Sequence, residues 1–129
     1  METKEEKKEV TERIKTFEDA QKETGRPDVP ELSDVPEDLR DYFKAQYKAV
    51  VITEALNEGW KADWKNENQE KYIPWFWTKS PSGFAFDVAC YGYSTPRAGD
   101  ASRLCFRTRA LAKYAGEQFL DIWKDLIFK

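Results

Sequence analysis

In the twenty residues KYIPWFWTKSPSGFAFDVAC, Lys71 to Cys90, apolar side chains return at every second position on either side of a Lys-Ser-Pro-Ser-Gly turn. Ile73, Trp75 and Trp77 alternate with Pro74, Phe76 and Thr78; Phe84, Phe86, Val88 and Cys90 alternate with Ala85, Asp87 and Ala89. Period two around a central turn predicts a β-hairpin. Pro74 has no N–H to give to a ladder, so its strand is expected at a sheet edge, or paired only beyond it. On both sides of this block the apolar residues recur at helical spacing. A chain that changes period in this way reads as α+β, a small antiparallel sheet with helices on it.

The helical parts have their own punctuation. Thr3-Lys-Glu-Glu6 fits a capping box, with Val10, Ile14 and Phe17 following on a narrow apolar stripe. Thr16-Phe-Glu-Asp19 restarts a cap, so residues 1–25 form an N-terminal helical arm of one helix or two short ones, ending before Gly25 and Pro27. Arg26 to Ser33 reads as a Pro-punctuated linker. Asp34-Val-Pro-Glu37 supplies an N-cap and an early Pro for a middle helix that Gly59 stops. Leu39, Phe43, Tyr47, Val50, Val51 and Ala55 line one side of it. Ile52 and Leu56 widen that side, which predicts cover on both flanks near the C-terminal end. Arg103 to Arg107 is expected as a third strand, and Thr108 as the cap of a long C-terminal helix on Leu111, Ala115, Phe119, Ile122 and Leu126. The expected architecture is one domain over residues 1–129. Its α+β core, 34–129, is a small antiparallel three-stranded sheet packed by the middle and C-terminal helices.

No run of eighteen apolar residues exists, so no membrane span is predicted, and the charged N-terminus carries no secretory signal. Cys90 and Cys105 are the only cysteines and the chain has no His, a composition that predicts no structural zinc. The two thiols are read as small buried apolar side chains, with a cross-strand disulfide as the alternative. No phosphate-binding loop, dinucleotide fingerprint or His-activated nucleophile is present, so no catalytic residue and no cofactor are assigned. Glu54 and Glu58, one helical turn apart, have the spacing to share a divalent cation. A solvated face explains the same pattern.

Charge divides the chain. Residues 1–59 carry ten Lys/Arg against sixteen Asp/Glu, a net −6, whereas residues 60–113 carry nine against five, a net +4. The basic part is also aromatic: Trp60, Trp64, Trp75 and Trp77 all lie between Asn57 and Trp77. Each indole buries on the order of 200 Å² of apolar surface, so leaving all four in water forfeits much of a domain's stability. Most of them are therefore expected inside. The functional alternative starts from alternation, which puts Trp75 and Trp77 on the face opposite Phe76, beyond what the helices can cover. Aromatic surface there would have Lys61, Lys65, Lys71, Lys79, Arg97, Arg103, Arg107 and Arg109 as neighbours.

The segments IKTFEDA (14–20), EALNEGWKADW (54–64), KYIPWF (71–76), GFAF (83–86), SRLCF (102–106) and LAKYAGEQF (111–119) resemble small uncharacterised proteins encoded by phages and mobile elements of anaerobic gut bacteria. The likeness runs from Ile14 to the C-terminus. It departs from the pattern at Ala62, where Pro is the expected residue, and at Gly99-Asp-Ala-Ser102, where the pattern would have Gly directly before Ser-Arg-Leu. The resemblance implies a phage accessory protein, in the host cytoplasm or carried with the particle, and supplies no catalytic residues.

Trp60, Trp64, Trp75, Trp77, Arg103 and Arg107 are accordingly the candidate binding residues of a non-enzymatic interaction protein whose partner is a host or phage protein. Two alternatives use the same region: single-stranded nucleic-acid binding by stacking and phosphate pairing, and homo-oligomerisation through the edge strand. An acidic isoelectric point near 5.2 stands against the first of these.

Overall fold

A computed structural model describes residues 9–80, 83–92 and 102–129. The element order is α1 (Val10–Arg13), α2 (Phe17–Thr24), α3 (Glu37–Asn57), β1 (Lys71–Ser80), β2 (Gly83–Gly92), a 3-10 turn (Ser102–Leu104), α4 (Arg109–Gln118) and α5 (Leu120–Phe128). The fold is α+β with a two-stranded antiparallel sheet and five α-helices among the described residues.

The cap predicted at Thr16 divides the N-terminal segment in two. Thr16 Oγ1 accepts from the Asp19 N–H at 3.1 Å, and the Asp19 carboxylate accepts the Thr16 N–H at 3.1 Å. The Thr3 cap lies outside the described residues. Val10, Ile14, Phe17 and Ala20 are all buried in the main core, so this segment is a packed part of the fold rather than an arm. Tyr114 Oη donates to the Ile14 carbonyl at 2.6 Å, tying it to α4. The stretch read as a linker is also pinned: Arg26 grips Glu54 on α3 and Tyr47 Oη donates to the Pro27 carbonyl at 2.6 Å.

α3 starts at Glu37 with Pro36, not Asp34, at its N-cap, where no side chain caps it. Its N-terminal half leaves Leu39, Tyr42 and Phe43 exposed. From Val51 to Asn57 every residue except Glu54 is buried, as two-sided apolar character demands. The helix ends on Glu58 at φ 48°, a left-handed conformation that a non-glycine residue adopts at a cost, with Gly59 at φ 90° following.

The hairpin joins β1 to β2 from Lys71↔Gly92 to Ser80↔Gly83. Tyr72 exchanges both backbone hydrogen bonds with Phe106 (2.9 and 2.8 Å) on the edge away from β2. Residues two apart point their N–H and C=O to the same edge, so Pro74's missing donor faces that outer edge and costs the hairpin nothing. The register slips between Trp75↔Val88 and Phe76↔Phe86, leaving Asp87 as an extra residue in β2, and shifts again between Trp77 and Ser80. This bulge re-aims the strand. Phe84 and Phe86 pack inward with Phe76, while Val88 and Cys90 are exposed, although all four share one parity in the sequence. Both cysteines are free, and only Cys105 is buried.

The third strand expected at Arg103–Arg107 is reduced to that one bridge with Tyr72. Leu104, Cys105 and Phe106 are buried consecutively, a pattern no one-faced strand produces. Instead, the buried Asn57 side chain brackets the segment: Nδ2 donates to the Cys105 carbonyl at 2.9 Å and Oδ1 accepts the Arg107 N–H at 3.1 Å. With Tyr72 on its other side, residues 105–107 are a plug between α3 and β1.

The long C-terminal helix breaks at Phe119 (φ −111°, ψ 32°) into α4 and α5. The Ala115 carbonyl accepts both the Phe119 N–H and the Trp123 indole N–H, each at 3.1 Å. The Ile122 N–H then closes a tight i→i−3 bond to Phe119 at 3.0 Å. Trp123 stacks on Phe76, centroids 5.8 Å apart, and Phe76 stacks on Phe84 at 5.0 Å. Gly116 admits the hairpin to α4, since a Cβ there would lie 2.4 Å from Phe86 Cδ2 and 3.2 Å from Pro74 Cβ.

Asn57→Ala is expected to lower unfolding free energy by about 2–4 kcal/mol, because two buried backbone groups lose this partner. Gly116→Ala is expected to cost about 1–3 kcal/mol by overpacking the hairpin against α4. Chemical denaturation followed by circular dichroism measures both, and wild-type stability in either variant contradicts the assignment.

Candidate functional site

The six residues singled out from the sequence do not form one site. Trp60, Trp64 and Arg103 come together in a groove of about 250 Å³ between the end of α3, the loop after it and the 3-10 turn. Val50, Thr53, Glu54, Asn57, Lys61 and Cys105 complete its principal lining. None of its lining residues belongs to β1 or β2. Trp75 and Trp77 stand on the outer face of the hairpin, 44% and 53% exposed, beside Val88 at 40%. Arg107 belongs to neither place, because its Nη2 is bound to Glu58 Oε1 at 2.8 Å.

Local sequence explains the separation. Asn57 O accepts the Trp60 N–H at 3.0 Å, so the chain turns directly off the helix end and lays Trp60 against α3. Asp63 and Asn66 then make short side-chain turns to the N–H groups of Lys65 and Asn68 (3.0 and 2.9 Å). Gln69 Oε1 accepts the Asp63 N–H at 2.6 Å and closes the loop. Lys71, counted from the sequence among the exposed cations, is fully buried at its end. Its Nζ donates to the Gln69 carbonyl at 3.1 Å and lies 4.9 Å from the Trp64 ring centroid. Trp64 is therefore half a wall of the groove and half a lid on Lys71, and its buried indole N–H has no hydrogen-bond partner among the described residues.

The expectation that most of the four tryptophans are buried is overturned. Trp60 and Trp64 are half-buried and Trp75 and Trp77 exposed, while Trp123 is buried. Phenylalanines take the interior places: Phe106 and Phe119 are buried, and Phe76, Phe84 and Phe86 pack against the same core. The core is filled without the outer indoles.

Several cations from both halves are committed to the protein's own acceptors. Glu58 takes Arg13 at 3.0 Å as well as Arg107, while Glu54 takes Arg26 through two bonds of 2.9 and 3.0 Å. The two carboxylates that had the spacing for a shared cation thus serve separate guanidinium groups. Arg109 donates to the Ala89 carbonyl and lies 5.3 Å from the Tyr72 ring centroid. Arg97 is outside the described residues. Lys61 and Arg103 differ from these: neither makes a hydrogen bond or ion pair with a described residue, and both act on Glu54 through space.

The Arg26 hydrogen bonds hold the Glu54 carboxyl below its ordinary range, with the charges of Arg26, Arg103 and Lys61 adding to them against burial. Two features carry no signal in the sequence. Val88 joins the outer face only because of the bulge, and Asn57 lines the groove because the plug docks on it. Compared with family models, with curated proteins and with solved structures, the chain finds no match in any of the three. Among the described residues no helix is long and apolar enough to cross a membrane.

A carboxyl depressed in the folded state contributes stability above its unfolded pKa and loses it as pH falls through the folded one. Unfolding midpoints measured on acidification are therefore expected to fall less in Glu54→Gln than in the parent. Parallel pH curves for the two proteins contradict the Arg26–Glu54 linkage.

Proposed function

We propose that this chain is a non-enzymatic interaction module that docks a host or phage protein through the outer face of its hairpin, with Trp75 and Trp77 as anchors. The carrying observation is that both indoles and Val88 stay exposed on one face while the same strands' phenylalanines fill the core. Aromatic side chains on a rigid strand give large contact area at low entropy cost, the property that makes Trp an interface anchor. The partner surface that fits is an apolar one. Its docking removes from water a patch that the monomer leaves exposed.

Charge favours a protein over single-stranded nucleic acid at this face. Stacking platforms need several cations beside them to pair with phosphates; exposed Lys79 lies on the same strand, whereas Arg107 and Arg109, two others expected from the sequence, are held elsewhere by Glu58 and the Ala89 carbonyl. Self-assembly through the β1 edge is disfavoured by Pro74, which interrupts the row of donors there, and by Phe106, which occupies Tyr72. The resemblance to phage and mobile-element proteins supports an accessory role in an infected host or with the particle.

Capture from infected cells by the tagged protein, compared with its Trp75→Ala/Trp77→Ala variant, tests the reading. One protein partner, retained in high salt and lost with the double substitution, is the expected result, with each substitution costing the fold about 1 kcal/mol or less. Identical capture by both proteins overturns it. So does a salt-sensitive nucleic acid as the retained species, or light scattering above the 15.1 kDa monomer mass that the variant abolishes.

A further inference from the structure

The groove between α3 and the Trp60–Trp64 loop has a chemistry that the hairpin face lacks. Two indoles line it, and Lys61 and Arg103, both exposed, are its cations without a bonded carboxylate among the described residues. Glu54 lines it as well, with its charge offset by Arg26. Once that pair is set aside, the groove presents two positive charges beside aromatic surface. Its volume of about 250 Å³ is just below the range for enclosed drug-sized ligands, so as an open groove it holds a flat ring while the rest of a small ligand extends along its rim, and it does not admit a folded element.

We propose that this groove binds a single nucleotide, its base against Trp60 and Trp64 and its phosphate between Lys61 and Arg103. Two cations match a phosphate dianion better than a singly charged carboxylate. Each Glu54 oxygen accepts one Arg26 donor and keeps a lone pair for an exocyclic amino group or a sugar hydroxyl. An apolar ring would leave these polar walls without partners, which disfavours a hydrocarbon ligand. The site is independent of the hairpin face: none of its lining residues is a hairpin residue.

The test is titration of the full-length, indole-¹⁵N-labelled protein with adenosine monophosphate, adenosine and inorganic phosphate, the five tryptophan indole signals being assigned with single Trp→Phe variants. Adenosine monophosphate is expected to shift the Trp60 and Trp64 signals and leave Trp75 and Trp77 in place, with adenosine and phosphate each at least about tenfold weaker. Arg103→Gln, an exposed position that preserves the fold, is expected to weaken the nucleotide by about tenfold while Trp75→Ala/Trp77→Ala binds it unchanged. A 5′-phosphorylated single-stranded oligonucleotide against its dephosphorylated form separates the two sources of the ligand. Preference for the phosphorylated strand over the monophosphate identifies a strand end, and the reverse a free nucleotide. Absence of any Trp60 or Trp64 shift, or equal affinity in Arg103→Gln, overturns the site, and neither result touches partner capture by the hairpin.

Discussion

The fold depends on a single buried amide. Asn57 ends α3 and offers the chain forty-eight residues away the same donor and acceptor that a neighbouring strand would offer. Residues 105–107 take that offer on one side and Tyr72 of β1 on the other, so helix, plug and hairpin are joined through four hydrogen bonds across the core. Buried peptide groups must be paired, and a segment with apolar side chains on all sides cannot reach water for partners. Asn57 solves this where no strand lies alongside. The plug does not lengthen into a third strand because the next pair along β1 falls on Pro74, which has no N–H to give, opposite Leu104, where the chain is already in its 3-10 turn.

A second constraint sorts the aromatic residues. Phe76 is held between Trp123 and Phe84, and the Gly116 backbone lets Phe86 and Pro74 approach α4 closely. With the inner face filled in this way, Trp75 and Trp77 have nowhere to go but outward. Their exposure is a property of the sheet having one covered face. Charge is sorted in parallel, since Glu54 and Glu58 neutralise Arg26, Arg13 and Arg107 at the end of α3. What is left over is an exposed aromatic face in one place and a cationic, indole-lined groove in another. Each suits a different kind of ligand.

Much of the local structure was legible. Thr16 and Asp19 announced the second helix, the widening stripe of α3 announced cover on both flanks, and period two around a Pro-Gly turn announced the hairpin with Pro74 at its edge. These are signals within a few residues of one another, where hydrogen-bonding options and side-chain period act directly. The candidate site was legible only as a list of residue types. Trp60, Trp64 and Arg103 do meet, but Trp75 and Trp77 are on another surface and Arg107 is an ion-pair partner.

The sequence by itself determined the hairpin and the helical class of the segments on either side of it, and the surplus of aromatic side chain over what one small core requires. Only the tertiary structure decided which side chains that surplus would be. A one-residue bulge at Asp87 reverses the faces of half a strand, an indole bonded to Ala115 breaks a helix whose apolar stripe is continuous, and Lys71 is sealed beneath Trp64. In each case the deciding partner is distant in the chain or the deciding displacement is a single residue. Neither leaves a mark on periodicity, because periodicity records which residues share a face and not what that face meets.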